Sequence, residues 1–195
     1  MKVAIVKYNA GNVQSVSFAL ERLGITPLVT DVHEELLAAD KIIFPGVGEA
    51  GSAMTYLRQA NLEKLMPQFK QPVLGICLGL QLMCRHSEES DTACLGVFPV
   101  EVKRFNQGLK VPHMGWNTIH SLKGSLFEGL SEKDFLYYVH SYYAELSDYT
   151  IAQTDYGLSY SAALHKDNFY AVQAHPEKSA QAGAKILENF IKRIQ

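Results

Sequence analysis

Pro72-Val73-Leu74-Gly75-Ile76-Cys77-Leu78-Gly79 is the stretch on which the reading of this chain turns. It is a short apolar run without polar alternation, which suits a strand covered on both faces, as in a parallel sheet. The run predicts a strand over 72–76 closed at Cys77, and a helix over about 78–86. Gly75-Ile76-Cys77-Leu78-Gly79 has the form G-x-C-x-G, in which a reactive residue sits on a sharp turn between strand and helix. Side chains at the two glycines would obstruct such a turn. Cys77 at a helix start is favoured as thiolate by the dipole and has free N–H groups nearby for an oxyanion.

Working outward, the N-terminal half repeats the pattern. Strands are expected over 3–8, 27–29 and 41–44, the last closed by Pro45-Gly46. Between the first two, Asn12 can cap a helix whose apolar positions Val13, Val16, Leu20 and Leu23 recur at three and four, with Gly24 as the stop. Strands alternating with amphipathic segments mean βαβ units and a mostly parallel sheet. From Val97 the texture becomes antiparallel: strands over 100–105, 135–146 and 151–154, and a hairpin across His165-Lys166-Asp167-Asn168. A final helix starts at Ser179, with Ile186, Leu187, Phe190, Ile191 and Ile194 on one face. The fold class is α/β, and 195 residues are expected to form one domain, 1–195.

Composition removes several functions. The net charge is −2 and no Lys/Arg block occurs, so nucleic acid is not an expected partner. No leader-like segment and no membrane-length apolar run are visible, which makes a cytosolic location the expectation and a membrane partner unexpected. Three cysteines, Cys77, Cys84 and Cys94, argue for thiols rather than a disulfide framework. Their gaps, with His86 included, match none of the paired spacings of zinc sites, so no metal is expected.

Taken alone, Cys77 reads more readily as a buried structural thiol. His175-Pro176-Glu177 supplies what a nucleophile needs. Proline keeps His175 out of the helical region, so the tripeptide is extended there and its outer residues point to the same side. Glu177 can then hold the imidazole's tautomer while the other ring nitrogen faces the thiol. By itself the tripeptide also suits a helix-entry turn; the joint pattern of strand–Cys–helix early and His-x-Glu late favours catalysis. In chain order His precedes the acid, unlike the α/β-hydrolase arrangement.

Gly46-Val47-Gly48-Glu49-Ala50-Gly51 matches G-x-G-x-x-G after a strand. A dinucleotide site is rejected because the match follows the third strand rather than the first, and Glu49 would repel a pyrophosphate. The better use of this backbone is an N–H for the oxyanion of a tetrahedral intermediate.

At this point the residues resemble a known family, the class I, triad-type glutamine amidotransferases. Gly75 to Gln81 is similar to its nucleophile motif, and Gln173-Ala174-His175-Pro176-Glu177 to its His-Pro-Glu motif. Three further stretches resemble one branch, the glutaminases of imidazole glycerol phosphate synthases: Pro45-Gly46-Val47-Gly48, Pro112-His113-Met114-Gly115-Trp116-Asn117 and Tyr138-Val139-His140-Ser141-Tyr142. The resemblance implies a flavodoxin-like three-layer fold with a central mostly parallel sheet and an antiparallel extension. It implies hydrolysis of L-glutamine by Cys77, His175 and Glu177, with Leu78, Val47 and Gly48 at the oxyanion and no cofactor. Gly48, Gln81, Glu89, Ser141 and Tyr142 would hold glutamine, and Asn12, Trp116, Tyr137 and Lys178 would face a (β/α)₈ cyclase subunit of the synthase in a heterodimer. Ala174 stands where the family usually has Phe, which is expected to thin the packing behind His175. A glutaminase for another synthase, a peptidase of the same shape and a non-catalytic interaction domain remain open on the sequence.

Overall fold

A computed structural model describes residues 1–9, 12–106 and 108–195. Along the first half run β1 (Val3–Val6), α1 (Val13–Glu21), β2 (Leu28–Thr30), α2 (His33–Leu37), β3 (Lys41–Gly46), α3 (Ala50–Gln59), α4 (Leu62–Leu65), β4 (Val73–Cys77) and α5 (Leu78–Met83). Then follow β5 (His86–Ser87), β6 (Thr92–Ala93), β7 (Glu101–Arg104), β8 (His113–Thr118), β9 (Phe135–His140), β10 (Tyr142–Ala144), β11 (Thr150–Asp155), β12 (Ser159–Lys166), β13 (Phe169–Val172) and α6 (Ala180–Arg193).

Among the described residues, seven strands form the main sheet in the order β11-β12-β13-β4-β3-β1-β2. From β2 to β13 every pairing is parallel, and β12 and β11 continue the sheet antiparallel. The expected mostly parallel sheet with an antiparallel extension is therefore present. Successive strand residues feed opposite faces. Ala4 and Val6, with Ile42 and Phe44, join a core closed by residues of α2 to α5; Val3, Ile5, Ile43, Leu74 and Ile76 join one closed by α1 and α6. Two cores, one on each face, make three layers and explain why these strands read as continuous apolar runs. All five predicted apolar positions of the last helix are buried, four on α6 and Ile194 just past its end.

Several expectations are corrected. The helix after Cys77 stops at Met83 rather than near 86: Cys84 is extended, Arg85 N–H donates to the Val100 carbonyl, and β5 pairs with β6 and β7. The strand expected over 135–146 is two strands in different sheets. β9 pairs with β8 as a ribbon, while β10 pairs with β7, so the chain changes partners at Ser141. β3 does not end at Phe44 but continues through Gly46, which lies opposite Cys77.

Asn12 and Ser179 occupy the N-cap positions expected of them, but neither side chain caps its helix. Their ψ values of 52° and 31° depart from the extended backbone that aims a cap side chain at the next N–H groups. Both side chains instead reach the residues around His175.

Candidate active site

The parallel pairing of β4 between β3 and β13 brings three distant segments to one sheet edge: the ends of β3, β4 and β13. Cys77 closes β4 with φ 53° and ψ −108°, a conformation side-chain-bearing residues rarely adopt and one costing about 1–3 kcal/mol. The glycine frame is required sterically. A Cβ at Gly79 would overlap the Phe44 carbonyl oxygen, and one at Gly75 would lie 2.7 Å from Met83 Sδ and 3.0 Å from the Gly79 carbonyl carbon. The loop entering from β3 is equally tight, since a Cβ at Gly46 would stand 2.7 Å from Leu78 Cβ.

His175 follows β13 through Gln173 and Ala174. Its Nδ1 lies 2.8 Å from Glu177 Oε1, and both side chains are 1% exposed. Nε2 is buried and makes no hydrogen bond of ordinary geometry to the thiol or to any other group among the described residues. Burial opposes protonation of this imidazole, but the sulfur of Cys77 and then the Glu177 carboxylate outweigh it, carrying its pKa up to about 10. An imidazolium held between a sulfur and a carboxylate is the arrangement of a general acid beside a nucleophile. Beside the small Ala174, the main chain of His175 is anchored at both its N–H and its carbonyl. Ala174 is buried in the second core, His175 N–H donates to the Tyr137 carbonyl at 2.9 Å, and Ser179 Oγ donates to the His175 carbonyl at 2.6 Å.

In front of the thiol opens a cavity of about 370 Å³. Val47, Gly48, Cys77, Leu78, Gln81, Glu89, Ser141 and Tyr142 line it, so every residue expected at the oxyanion or around a bound amino acid is there. Leu78 begins α5, where an N–H has no acceptor within the helix. Gly48 has φ 120°, a backbone that a side chain would strain. Gln81 lines the wall, but its Nε2 already donates to the Tyr142 carbonyl (2.9 Å) and to Gln173 Oε1 (3.1 Å), leaving Oε1 as what it offers a ligand. Burial raises the pKa of the Glu89 carboxyl, while one of its oxygens accepts from Ala50 N–H at 2.8 Å. Pro112, Val139 and His140 complete the wall, and no residue-level argument from sequence had placed them there.

The glycine-rich stretch behaves as expected in one respect and differently in another. The start of α3, where a pyrophosphate would bind, is filled by protein carboxylates: Glu49 accepts from Gly51 N–H (2.9 Å) and Ser52 N–H (2.7 Å), and Glu89 from Ala50 N–H. Glu49 is thus a cap as well as a repelling charge. Hydrogen bonds from Ser90, then Ser52 and Gly51, hold its carboxyl down to about 2.

Of the thiols, Cys84 is buried and Cys94 partly so, and burial pushes both up, Cys94 to about 12. Neither lines the cavity. Among the described residues no group of three or more His, Cys, Asp and Glu is placed to hold a metal ion, and no helix is long and apolar enough to cross a membrane.

The four residues expected to face a partner gather around the 3-10 turn Pro176–Lys178. Asn12 Nδ2 donates to Glu177 Oε1 at 3.3 Å, Tyr137 N–H donates to Ser179 Oγ at 2.9 Å, and Lys178 is exposed on the turn. Trp116 pairs with Tyr137 across the β8–β9 ribbon, ring centroids 5.9 Å apart. Met114, Trp116 and Phe135 on that ribbon are 63%, 53% and 53% exposed, an uncovered apolar stripe.

Comparison with known proteins agrees with this architecture. The class-I glutamine amidotransferase family profile matches residues 4–194. A protein of Bacteroides fragilis named imidazole glycerol phosphate synthase subunit HisH is 56% identical over 195 residues, covering 98% of this chain and 100% of its own. Its namesake in Bacteroides thetaiotaomicron is 57% identical over 194 residues, covering 98% and 99%. Among solved structures, PurLQS from Thermotoga maritima superposes with a TM-score of 0.75 at 15% identity over 100% of this chain and 99% of that one, a likeness of fold alone. The chain belongs to the class-I glutamine amidotransferase family and, within it, to the HisH subunits of imidazole glycerol phosphate synthase.

Proposed function

We propose that this chain hydrolyses L-glutamine to L-glutamate and ammonia, with Cys77 as nucleophile, His175 as acid and base and Glu177 as the group that orients His175. The observation that carries the reading is a thiol on a strained strand–helix turn, at the mouth of a cavity, with a buried and paired His175–Glu177 behind it. Cys77 Sγ attacks the side-chain amide carbon, and the oxyanion is met by Leu78 N–H and by backbone of the Val47-Gly48 segment. His175 protonates the departing nitrogen, the C–N bond breaks with its electron pair going to nitrogen, and ammonia leaves while the acyl group stays on sulfur as a glutamyl thioester. Water attacks the thioester, giving its proton to His175, and glutamate leaves as the sulfur is freed. Glu89, Ser141, Tyr142, Gly48 and Gln81 Oε1 hold the amino acid.

The test uses 6-diazo-5-oxonorleucine, a glutamine-like electrophile, followed by peptide mapping. Labelling of Cys77 alone, in step with loss of glutamate release, is the expected result. Labelling confined to Cys84 or Cys94, or no labelling beside a normal rate, would overturn the reading.

The ammonia goes to a synthase partner, a (β/α)₈ cyclase subunit that makes imidazole glycerol phosphate and aminoimidazole carboxamide ribotide in histidine biosynthesis. The names of the relatives and the uncovered stripe of Met114, Trp116 and Phe135 beside the Pro176–Lys178 turn support this. Trp116, exposed and packed edge-on against Tyr137, is an aromatic anchor. Trp116→Ala is expected to weaken association with the cyclase by about 2 kcal/mol, roughly thirtyfold in Kd by titration calorimetry. An unchanged Kd would move the interface elsewhere.

A further inference from the structure

Gln173 has no part in the mechanism so far, yet its side chain touches the sulfur. It is fully buried at the end of β13, two residues before His175, and its Nε2 lies 3.7 Å from Cys77 Sγ. Which end of the amide faces the sulfur is fixed by a chain of constraints. The Tyr142 carbonyl can only accept, so the atom of Gln81 lying 2.9 Å from it must be Nε2. The second N–H of that nitrogen needs an acceptor, and it has Gln173 Oε1 at 3.1 Å. With its oxygen so placed, Gln173 presents Nε2 to Cys77.

The other end of the chain is equally determined. Tyr142 O also receives His140 Nδ1–H at 2.7 Å, so the neutral ring of His140 presents a bare Nε2, which faces Tyr160 Oη at 3.2 Å. Burial, against the hydrogen bond to Tyr142, holds His140 down to about 3, so its ring stays neutral through the working range of pH.

We propose that Gln173 is a further catalytic residue, donating a side-chain N–H to Cys77 Sγ and held in that orientation by Gln81 and the Tyr142 carbonyl. A hydrogen bond to sulfur favours the thiolate over the thiol and aims its remaining lone pairs toward the cavity. The proposal rests on Cys77 being the nucleophile. It predicts that Gln173 acts on the proton affinity of the sulfur together with the other titratable groups around it, namely His175, Tyr8 and Tyr160.

The experiment reads the sulfur directly. Alkylation of Cys77 by iodoacetamide, followed by mass spectrometry of its peptide in the full-length chain, is measured against pH for the parent, Gln173→Met and Gln173→Glu. Gln173→Met fills similar space without a donor and is expected to raise the alkylation midpoint by about one pH unit, lowering the neutral-pH rate about tenfold. Gln173→Glu, which brings a carboxylate to the sulfur, should raise it further. In turnover, kcat should fall with KM little changed. A profile for folded Gln173→Met superimposable on the parent's would overturn the proposal.

Should neither variant fold, the unaltered chain decides. With glutamine side chains labelled with ¹⁵N, the Gln173 amide resonances should shift when Cys77 is alkylated, and resonances that stay put would count against the bond. A sulfur that titrates as described in a chain unable to hydrolyse glutamine would support the hydrogen bond and sink the glutaminase reading, so the two fail separately.

Discussion

Cys77→Ala is expected to lower the rate of glutamine hydrolysis by at least about 10⁴-fold, because the thioester route vanishes and nothing else in the cavity replaces the sulfur. Cys84 and Cys94 are outside the cavity wall, so neither can stand in. His175→Ala should cost about as much, since without it neither the departing nitrogen nor the incoming water has a proton partner. The double variant should be no slower than either single one, because groups that act as a unit do not lose activity additively. Glu177→Gln tests orientation. The carboxylate can only accept from Nδ1–H, whereas an amide can turn its nitrogen toward the ring and favour the tautomer with its proton on Nε2. A loss of roughly 10²–10⁴ in kcat is expected by the same logic that governs the orienting acid of Ser-His-Asp enzymes. Glutamate release, measured with the cyclase subunit and its ligand present, checks all four. A Cys77→Ala chain retaining a tenth of parental turnover would remove the mechanism.

Much of this site was legible in the sequence because its signals are local and physical. An apolar run ending in a cysteine flanked by glycines needs no distant information to be read as a buried strand feeding a tight turn. His175-Pro176-Glu177 carries only part of its geometry through the proline: His175 is extended as expected, but Pro176–Lys178 is a 3-10 turn, so Glu177 reaches the ring from that turn rather than along an extended strand. The rest depended on what lies across the fold. Phe135 to Ala144 has one continuous strand-like texture, and nothing local says that Ser141 is where it passes from the β8 ribbon to β7. Asn12 and Ser179 are good cap residues by type, but the site takes their side chains, and the helices start without them. Glu49 was readable as a charge hostile to phosphate; its second role as a cap needed α3, whose first turn carries the weak helix formers Gly51 and Ser52. Gln173 is the clearest case. Two residues before His175 and quoted only as the start of its motif, it shows no pattern that marks a role of its own, and its contact with Cys77 exists only because β13 lies parallel beside β4.

Gly79→Ala should affect the fold as strongly as Cys77→Ala affects the chemistry. At most glycines a methyl group meets space or a yielding side chain; at Gly79 it would overlap the carbonyl oxygen of Phe44, a backbone atom of β3. β3 is held on both sides, by β1 and by β4, so that carbonyl cannot retreat without disturbing the centre of the sheet. The alternative is for α5 to lift away, drawing Leu78 from the oxyanion position and exposing Leu80 and Leu82, which are fully buried. Either response is expected to cost at least about 3 kcal/mol, beyond ordinary overpacking because backbone rather than side chain must move. For a chain of this size that is a fall in Tm of roughly 6–12 °C, read by calorimetry. Gly96→Ala serves as the comparison: it has φ 69° and open space around it, so only the cost of a left-handed alanine, roughly 1 kcal/mol, should appear. If the two variants melt together, the tight approach of α5 to β3 is not what holds Cys77 in its turn; if they separate as expected, the glycine that frames the nucleophile is also a point where the sheet itself would break.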